Sequence, residues 1–202
     1  MDDKRKQMHL SDVDRVLDDV REHLTHTRET DEVFELRALQ LLLEVTKSLH
    51  SQHDIRQLIT LILDSALSFV EADRAFLMIL EDDGTLRFKM GRSYEGAYLT
   101  EDDFMISSSV VQQTLDGLKP IILMDAKDDP NFKNKQSIVN LALRTVMAAP
   151  LSYQDQVLGL IYVDSKRPMS RYSEHHLNVL SSLAEQAAIA IFNARKFETH
   201  TG

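Results

Sequence analysis

The 202-residue sequence contains no cysteine. This absence excludes disulfides, thiolate nucleophiles, thioether-linked cofactors, iron–sulfur clusters and zinc–thiolate sites together. Glycine occurs six times, and no glycine-rich phosphate-binding loop can be assembled from those positions. There is no basic run and no basic face with interleaved aromatics. The 32 acidic and 23 basic residues leave a net charge of −9, which opposes binding along a phosphate backbone. No apolar stretch reaches the ~18–20 residues that a membrane span requires, and the opening MDDKRKQMHL lacks the apolar core of a signal peptide. These absences point to a cytoplasmic protein, or a piece of a larger one, with neither nucleic acid nor membrane as partner.

A hydrophobic content of 43% and a charged content of 27% are ordinary for a chain that folds in water. The length suits one domain with a real core and an appendage. Ser11 opens the first helical signal, with Asp14 three residues on in the sense of a capping box. Leu10, Val13, Leu17, Val20 and Leu24 follow at heptad spacing, and the frame continues through Phe34, Ala38, Leu41 and Val45. Asp12, Asp14, Arg15, Asp18, Arg21 and Glu22 charge its outer positions. A narrow apolar seam has nothing in its own early chain to bury it, so a second copy is the simplest partner. The stretch from His26 to Asp31 offers Thr and Asp as caps and is a candidate break or hinge.

Beyond Ser51, the residues Ile55, Leu58, Ile59, Ile62, Ala66, Phe69 and Val70 predict a second helix ending near Glu71. The run Ala75 to Leu80, a turn at Asp83-Gly84, and the alternation of Leu86, Phe88 and Met90 predict an antiparallel hairpin. Ser107 to Gly117 reads as a short helix capped by serine and closed by Gly117, with a strand from Pro120 to Met124 after it. The polar stretch AKDDPNFKNKQS is an irregular loop candidate. Thr145 to Leu151 and Val157 to Asp164 predict a second hairpin. Ser173 caps a last helix with Leu177, Leu180, Leu183, Ala187, Ala190 and Ala194 on one stripe. The order describes an α+β layer: an antiparallel sheet with helices mainly on one face.

Four segments, ADRAFLMILEDDGTLRF, ISSSVVQQTLDGLKPIILMDAKDDPNF, RTVMAAPLSYQDQVLGLIYVDSK and AEQAAIAIFNARKFE, in that order and at ordinary spacings, resemble the GAF domain. The resemblance covers residues 36–198, and it is the ordered set that carries it. It implies a sheet of about six antiparallel strands, GAF/PAS-like, with a ligand pocket under the loops on the face away from the helices. Members of the family bind cyclic nucleotides, bilins, haem, other small molecules or nothing known, and regulate attached output modules, as in bacterial sensors. The domain organisation expected on this basis is a coiled-coil arm over residues 1–34, a GAF domain over 35–198 and a tail over 199–202.

Cyclic-nucleotide members share a signature of Asn-Lys, a gap, Phe, and Asp-Glu. Here the matching stretch has Ser165-Lys166, Tyr172 and Glu174-His175, so the signature is largely absent. Bilin attachment and sulfoxide reduction need cysteine and are eliminated. Haem needs an axial donor, yet the histidines at 9, 23, 26, 50, 53, 175, 176 and 200 leave none between Asp54 and Glu174. His175 and His176, adjacent on a helix start, do not share a face and make a poor metal pair. Asp125, Asp128, Asp129 and Asn131 crowd one loop without the ligand spacing of a calcium hand, and turn formation accounts for them. The serines of SSSVV have no central histidine as base, and capping accounts for them.

No catalytic residue, metal site or cofactor is therefore expected, and the chain reads as a regulatory module and not an enzyme. The candidate pocket residues are Met90, Met124 and Met147 on strands, with Phe104, Asp125, Phe132 and Arg144 near loop ends. Methionine adapts to varied apolar shapes and arginine could hold an anionic group, although core packing and a loop salt bridge suit the same residues. The candidate dimer seams are Leu10, Val13, Leu17, Val20 and Leu24 at one end, and Leu180, Leu183, Ala187, Ala190 and Ala194 at the other. A homodimer through these helices, a small-molecule ligand and an output module are the partners so implied. A passive dimerisation scaffold without a ligand and a cyclic-nucleotide-binding GAF domain are the competing expectations.

Overall fold

The computed structural model describes residues 31–51, 54–103, 105–124, 145–166 and 174–200, with side chains described over 33–47, 54–103, 105–123, 145–166 and 174–196. The chain divides into two compact units, Met1–Ser51 and Gln52–Gly202. In the first, helix α1 covers Asp31–Ser51. It runs unbroken across the 34/35 boundary expected from the sequence, because the apolar frame from Phe34 to Val45 is a single helical pattern. Val45 is buried on that frame and Phe34, Ala38 and Leu41 are partly buried, whereas Leu39, outside it, is 48% exposed.

The second unit begins with helix α2, Ile55–Val70. Asp54 sits in extended backbone ahead of it and accepts the amide of Arg56 at 2.9 Å, which satisfies one of the unpaired donors of the first turn. Strands β1 (Arg74–Leu80) and β2 (Leu86–Ser93) follow as a hairpin whose turn holds Gly84 at φ 78°. A two-residue strand β3 (Tyr98–Leu99) pairs with Gly91 and Arg92. Next come a 3₁₀ turn at Glu101–Asp103, helix α3 (Ser108–Gly117) and strand β4 (Ile121–Met124). Strands β5 (Thr145–Tyr153) and β6 (Gln156–Ser165) form the second hairpin, with Gln154 and Asp155 both at positive φ as the primed two-residue turn requires. Helix α4 covers Glu174–His200.

The six strands form one sheet in the order β3-β2-β1-β6-β5-β4, with each neighbouring pair antiparallel. Side chains alternate between its faces. Phe76, Met78, Val146, Ala148, Leu160, Tyr162 and Leu123 share one face and pack with Val110 of α3. The intervening residues point to the other face, where α2 and α4 lie side by side over the sheet. Both helices are long and well buried there, so this helical layer holds the larger core. The α+β architecture expected from the sequence is the one observed.

Helix α3 differs from expectation at both ends: Ser107 takes the N-cap position, but its side chain makes no capping hydrogen bond. Gly117 is its last helical residue, and the left-handed position falls on Leu118, at φ 48° and 56% exposed. A leucine there carries a steric cost that glycine avoids. Leu118→Gly is expected to raise unfolding stability by about 0.5–1 kcal/mol, read as a shift of the urea midpoint without a change in slope.

Candidate functional site

Where β1 begins and β6 ends, two dipeptides meet. Arg74 and Asp164 are register partners in the antiparallel ladder, and the Asp73 amide donates to the Asp164 carbonyl at 3.0 Å. On the α3 side, Arg74 donates Nε to Asp164 Oδ1 at 2.9 Å and Nη2 to Asp164 Oδ2 at 2.6 Å. Its remaining donors reach the carbonyls of Asp103 at 3.2 Å and Met105 at 3.0 Å, the segment that leads into α3. The amide of Ser107 donates to the buried Tyr162 hydroxyl at 3.1 Å. Ser165, the next residue along β6, donates its hydroxyl to Asp73 Oδ2 at 2.9 Å, and the same oxygen accepts the Lys166 amide at 2.9 Å. The result is a reciprocal clasp: Arg74 holds Asp164, and Ser165 holds Asp73.

Asp164 is 2% exposed and Arg74 21%. Burial pushes the Asp164 carboxyl up, against the opposing pull of its hydrogen bonds and charge pairing with Arg74. Burial likewise opposes the charge on Arg74, but hydrogen bonding and charge pairing with Asp164 outweigh it and hold the guanidinium above its ordinary value. The Tyr162 hydroxyl, wholly buried next to Asp164, is pushed well above the usual tyrosine range. It therefore stays protonated and keeps a hydrogen to donate. Arg74 also lies over the Phe76 ring, 5.1 Å from its centre, which joins the ion pair to the apolar face.

A second polar group stands at the β2 edge of the helical layer. Arg92 forms a bidentate pair with Asp64 of α2 at 2.7 and 2.9 Å and lies 4.3 Å from the Tyr98 ring centre. Hydrogen bonding to Asp64 raises the Arg92 pKa further. Planar bidentate geometry of this kind fixes α2 against the sheet more firmly than a lysine could.

Of the expected pocket residues, Met90, Met124 and Met147 lie among the described residues. Met90 does not join Leu86 and Phe88 on the α3 face, because a bulge between Leu77 and Met78 shifts the register of the hairpin. Phe88 pairs with Met78 and Met90 with Leu77. Met90 consequently faces the helical layer, where the Thr60 hydroxyl of α2 meets its sulfur at 3.5 Å. Met147 is fully buried and alternates with Val146 and Ala148, which places it on the helical side as well. Met124 pairs in register with Thr145 at the end of β4. Phe104, Asp125, Phe132 and Arg144 lie outside the described residues, as does the acidic loop around Asp128.

The expected seam on α4 is also placed differently. Leu180, Leu183 and Ala187 have no exposure, Ala190 is buried, and Ala194 is partly buried. Leu180, Leu183, Ala187 and Ala190 belong to the face of α4 that packs within the single chain, where a second copy could not reach them without unpacking the domain. Leu10, Val13, Leu17, Val20 and Leu24 lie outside the described residues. Among the described residues no group of three histidine, aspartate or glutamate side chains could hold a metal ion, and no helix is long and apolar enough to cross a membrane.

His176 of α4 is half-buried beside Phe69, with ring centres 5.9 Å apart. Burial first, and the charge of His175 second, lower its pKa. The unfolded chain then binds a proton that the folded chain resists, so this group's contribution to stability is lost as pH falls below the ordinary histidine value of about 6.5. The urea midpoint is expected to drop between pH 7.5 and pH 5.5, and His176→Gln to make that drop shallower.

The GAF domain family matches residues 52–191. With more than half of its length matched, the chain belongs to the GAF domain family. The GAF domain from a phosphoenolpyruvate-protein phosphotransferase (ptsP) of Coxiella burnetii superposes with a TM-score of 0.63 at 18% identity, covering 81% of this chain and 98% of that one. The GAF domain from an Acinetobacter phosphoenolpyruvate-protein phosphotransferase gives 0.61 at 15% identity, covering 80% and 97%. At these identities the likeness shows a shared fold. The peroxide stress-activated histidine kinase mak3 of Schizosaccharomyces pombe is 28% identical over 100 residues, which is 49% of this chain and 4% of the kinase. The chain thus matches only a small part of that protein's length.

Of the clasp residues, only Ser165 falls within a motif comparison, as the counterpart of the nucleotide-signature asparagine. The only signal was an acidic-basic pair, Asp73-Arg74, opening one apolar run and an acidic-polar pair, Asp164-Ser165, closing another. Their side chains meet across 90 residues of chain.

Proposed function

We propose that this GAF domain is a sensory or regulatory module that takes a small molecule between α3 and the sheet and passes its occupancy through helices to an output module. The observation that supports this reading most is the unequal cover of the two sheet faces. One face lies under two long helices, and the other, among the described elements, under the ten-residue α3. A short helix held by a polar clasp costs less to displace than a helical layer with an alanine- and leucine-rich core. The mak3 likeness adds a histidine kinase as a setting in which such a segment occurs. The N-terminal heptad frame supports a homodimer, and sedimentation velocity at tens of micromolar is the check on that part of the proposal.

A second reading, a passive scaffold, draws on the filling of the same face by Phe76, Met78, Val110 and Tyr162, all without exposure. Thermal-shift screening against a panel of cytoplasmic small molecules separates the two. A saturating ligand is expected to stabilise the fold by RT ln(1 + [L]/Kd), about 2.7 kcal/mol at a hundredfold excess over Kd. A panel without a single saturable stabiliser favours the scaffold.

A further inference from the structure

We propose that the reciprocal clasp of Asp73-Arg74 with Asp164-Ser165 is a conformational latch, through which the position of the segment ahead of α3 and the position of the chain leaving β6 toward α4 are coupled. The proposal deepens the sensory reading by naming the route from the α3 face to the helical layer, and it rests on that reading for its biological meaning.

The geometry carries it. Adjacent residues of a strand point to opposite faces. Arg74 and Asp164 lie on the α3 side, and Ser165 lies on the side of α2 and α4, one residue away in each case from the partner strand's contribution. Arg74 alone joins its own strand β1 to two other segments: β6 through the Asp164 carboxylate, and the pre-α3 segment through the carbonyls of Asp103 and Met105. Those carbonyls can follow a displaced α3 only if the guanidinium tilts or releases them. A guanidinium held at both carboxylate oxygens is a planar fork with little freedom, so a tilt is transmitted to Asp164. Asp164 shares its backbone with Ser165 and Lys166, whose hydroxyl and amide are both fixed on one oxygen of Asp73. Asp73 in turn is joined to Arg74, and its carbonyl accepts the Tyr94 amide at the end of β2. Lys166 is the described residue from which the chain proceeds to α4, and Asp73 stands just after α2. The clasp thus lies three residues in sequence from the end of α2 and eight from the start of α4.

Coupling between two sites is reciprocal, so disturbing either half should loosen the other. Hydrogen exchange on the ligand-free protein reads both halves directly. The amides of Val110 and Val111, bonded to the Ser107 carbonyl, report the start of α3, and the Lys166 amide, bonded to Asp73, reports the far half. Arg74→Lys keeps the cation beside Asp164 but loses the fork. It is expected to speed exchange at Val110, Val111 and Lys166 together by at least about fivefold, the lower end of ordinary coupling between sites. Ser165→Ala, made on the opposite side, should speed Val110 and Val111 as well. The Gly84 amide, in the β1–β2 turn, should not change in either variant.

The latch is overturned if Arg74→Lys affects only the α3 amides, or if Ser165→Ala affects only Lys166. It is also overturned if Gly84 accelerates in step with the others, which marks global loosening. Because no ligand is present, these outcomes are independent of the thermal-shift screen: a scaffold domain can contain the latch, and a sensor can lack it.

Discussion

Gly159→Ala is expected to destabilise the domain by about 4 kcal/mol or more, in the range that marks a specific structural failure. Gly159 pairs with Ile79 on one side and Leu151 on the other, at the point where β6 crosses next to β1. A Cβ at this position would lie 1.9 Å from the Met78 carbonyl oxygen and 2.9 Å from its carbon, and the φ of 153° is one that side-chain-bearing residues rarely adopt. The obstacle is backbone in the middle of the sheet, so no rotamer change relieves it. Relief requires moving β1 away from β6, along a pairing that is otherwise in continuous register. The check is expression solubility and urea denaturation beside Gly117→Ala, where an added Cβ meets nothing within 4 Å. That control is expected to be neutral or stabilising, because alanine is the better helix former by about 1 kcal/mol. A Gly159→Ala protein within 1 kcal/mol of the parent would contradict the close approach.

Arg74→Ala is expected to cost about 3–5 kcal/mol at neutral pH, as the breaking of a buried pair does. The cost has two sources. Asp164 loses its counter-charge while remaining 2% exposed, and the carbonyls of Asp103 and Met105 lose their donor. The partial exposure of Arg74 lets water replace some of its hydrogen bonds, which places the expectation at the lower end of that range. The pH dependence identifies the source. Burial already raises the Asp164 carboxyl, and removing Arg74 removes the largest opposing influence. A carboxyl whose folded pKa lies above its unfolded value binds a proton on folding, so that part of the stability is present at low pH and is lost as pH rises through the folded pKa. The gap between parent and variant should therefore narrow as pH falls from 7 toward 5, measured by urea midpoints at matched ionic strength. A gap that is constant with pH would mean that Asp164 is not the origin of the loss.

Much of this fold is legible in the residues. The hairpin at Asp83-Gly84, the serine-initiated α3, the apolar run ending at Asp164 and the last helix each carry local signals strong enough to place them, and their order matches the GAF family. The positions that misled were those where a local pattern has two tertiary solutions. Leu86, Phe88 and Met90 alternate perfectly, yet Lys89, which has no register partner on β1, is an extra residue that sends Met90 to the other face, and the alternation itself gives no sign of it. Leu180, Leu183 and Ala187 sit at the spacing of a coiled-coil seam and of a core stripe alike; whether the partner is a second helix or the chain's own sheet is decided by residues far away. The clasp was illegible for a similar reason. Asp73, Arg74, Asp164 and Ser165 are charged or polar residues at strand ends, where solvent exposure is the ordinary outcome. Burial of Asp164 arises only when β6 pairs with β1 and the segment ahead of α3 meets Arg74. What the sequence did specify about chemistry was negative: the absence of cysteine and of a central histidine.

The central claim is that occupancy of the α3 face reaches the helical layer. Its most direct test is hydrogen exchange in the presence and absence of the compound that most stabilises the protein in the thermal-shift screen, at saturation. Changed protection is expected at Val110 and Val111 of α3, at Lys166, and in the first turns of α4, with the β1–β2 turn at Gly84 unaltered. Protection changes that spare α3, or that stop at α3 and leave Lys166 and α4 as they were, would contradict the claim.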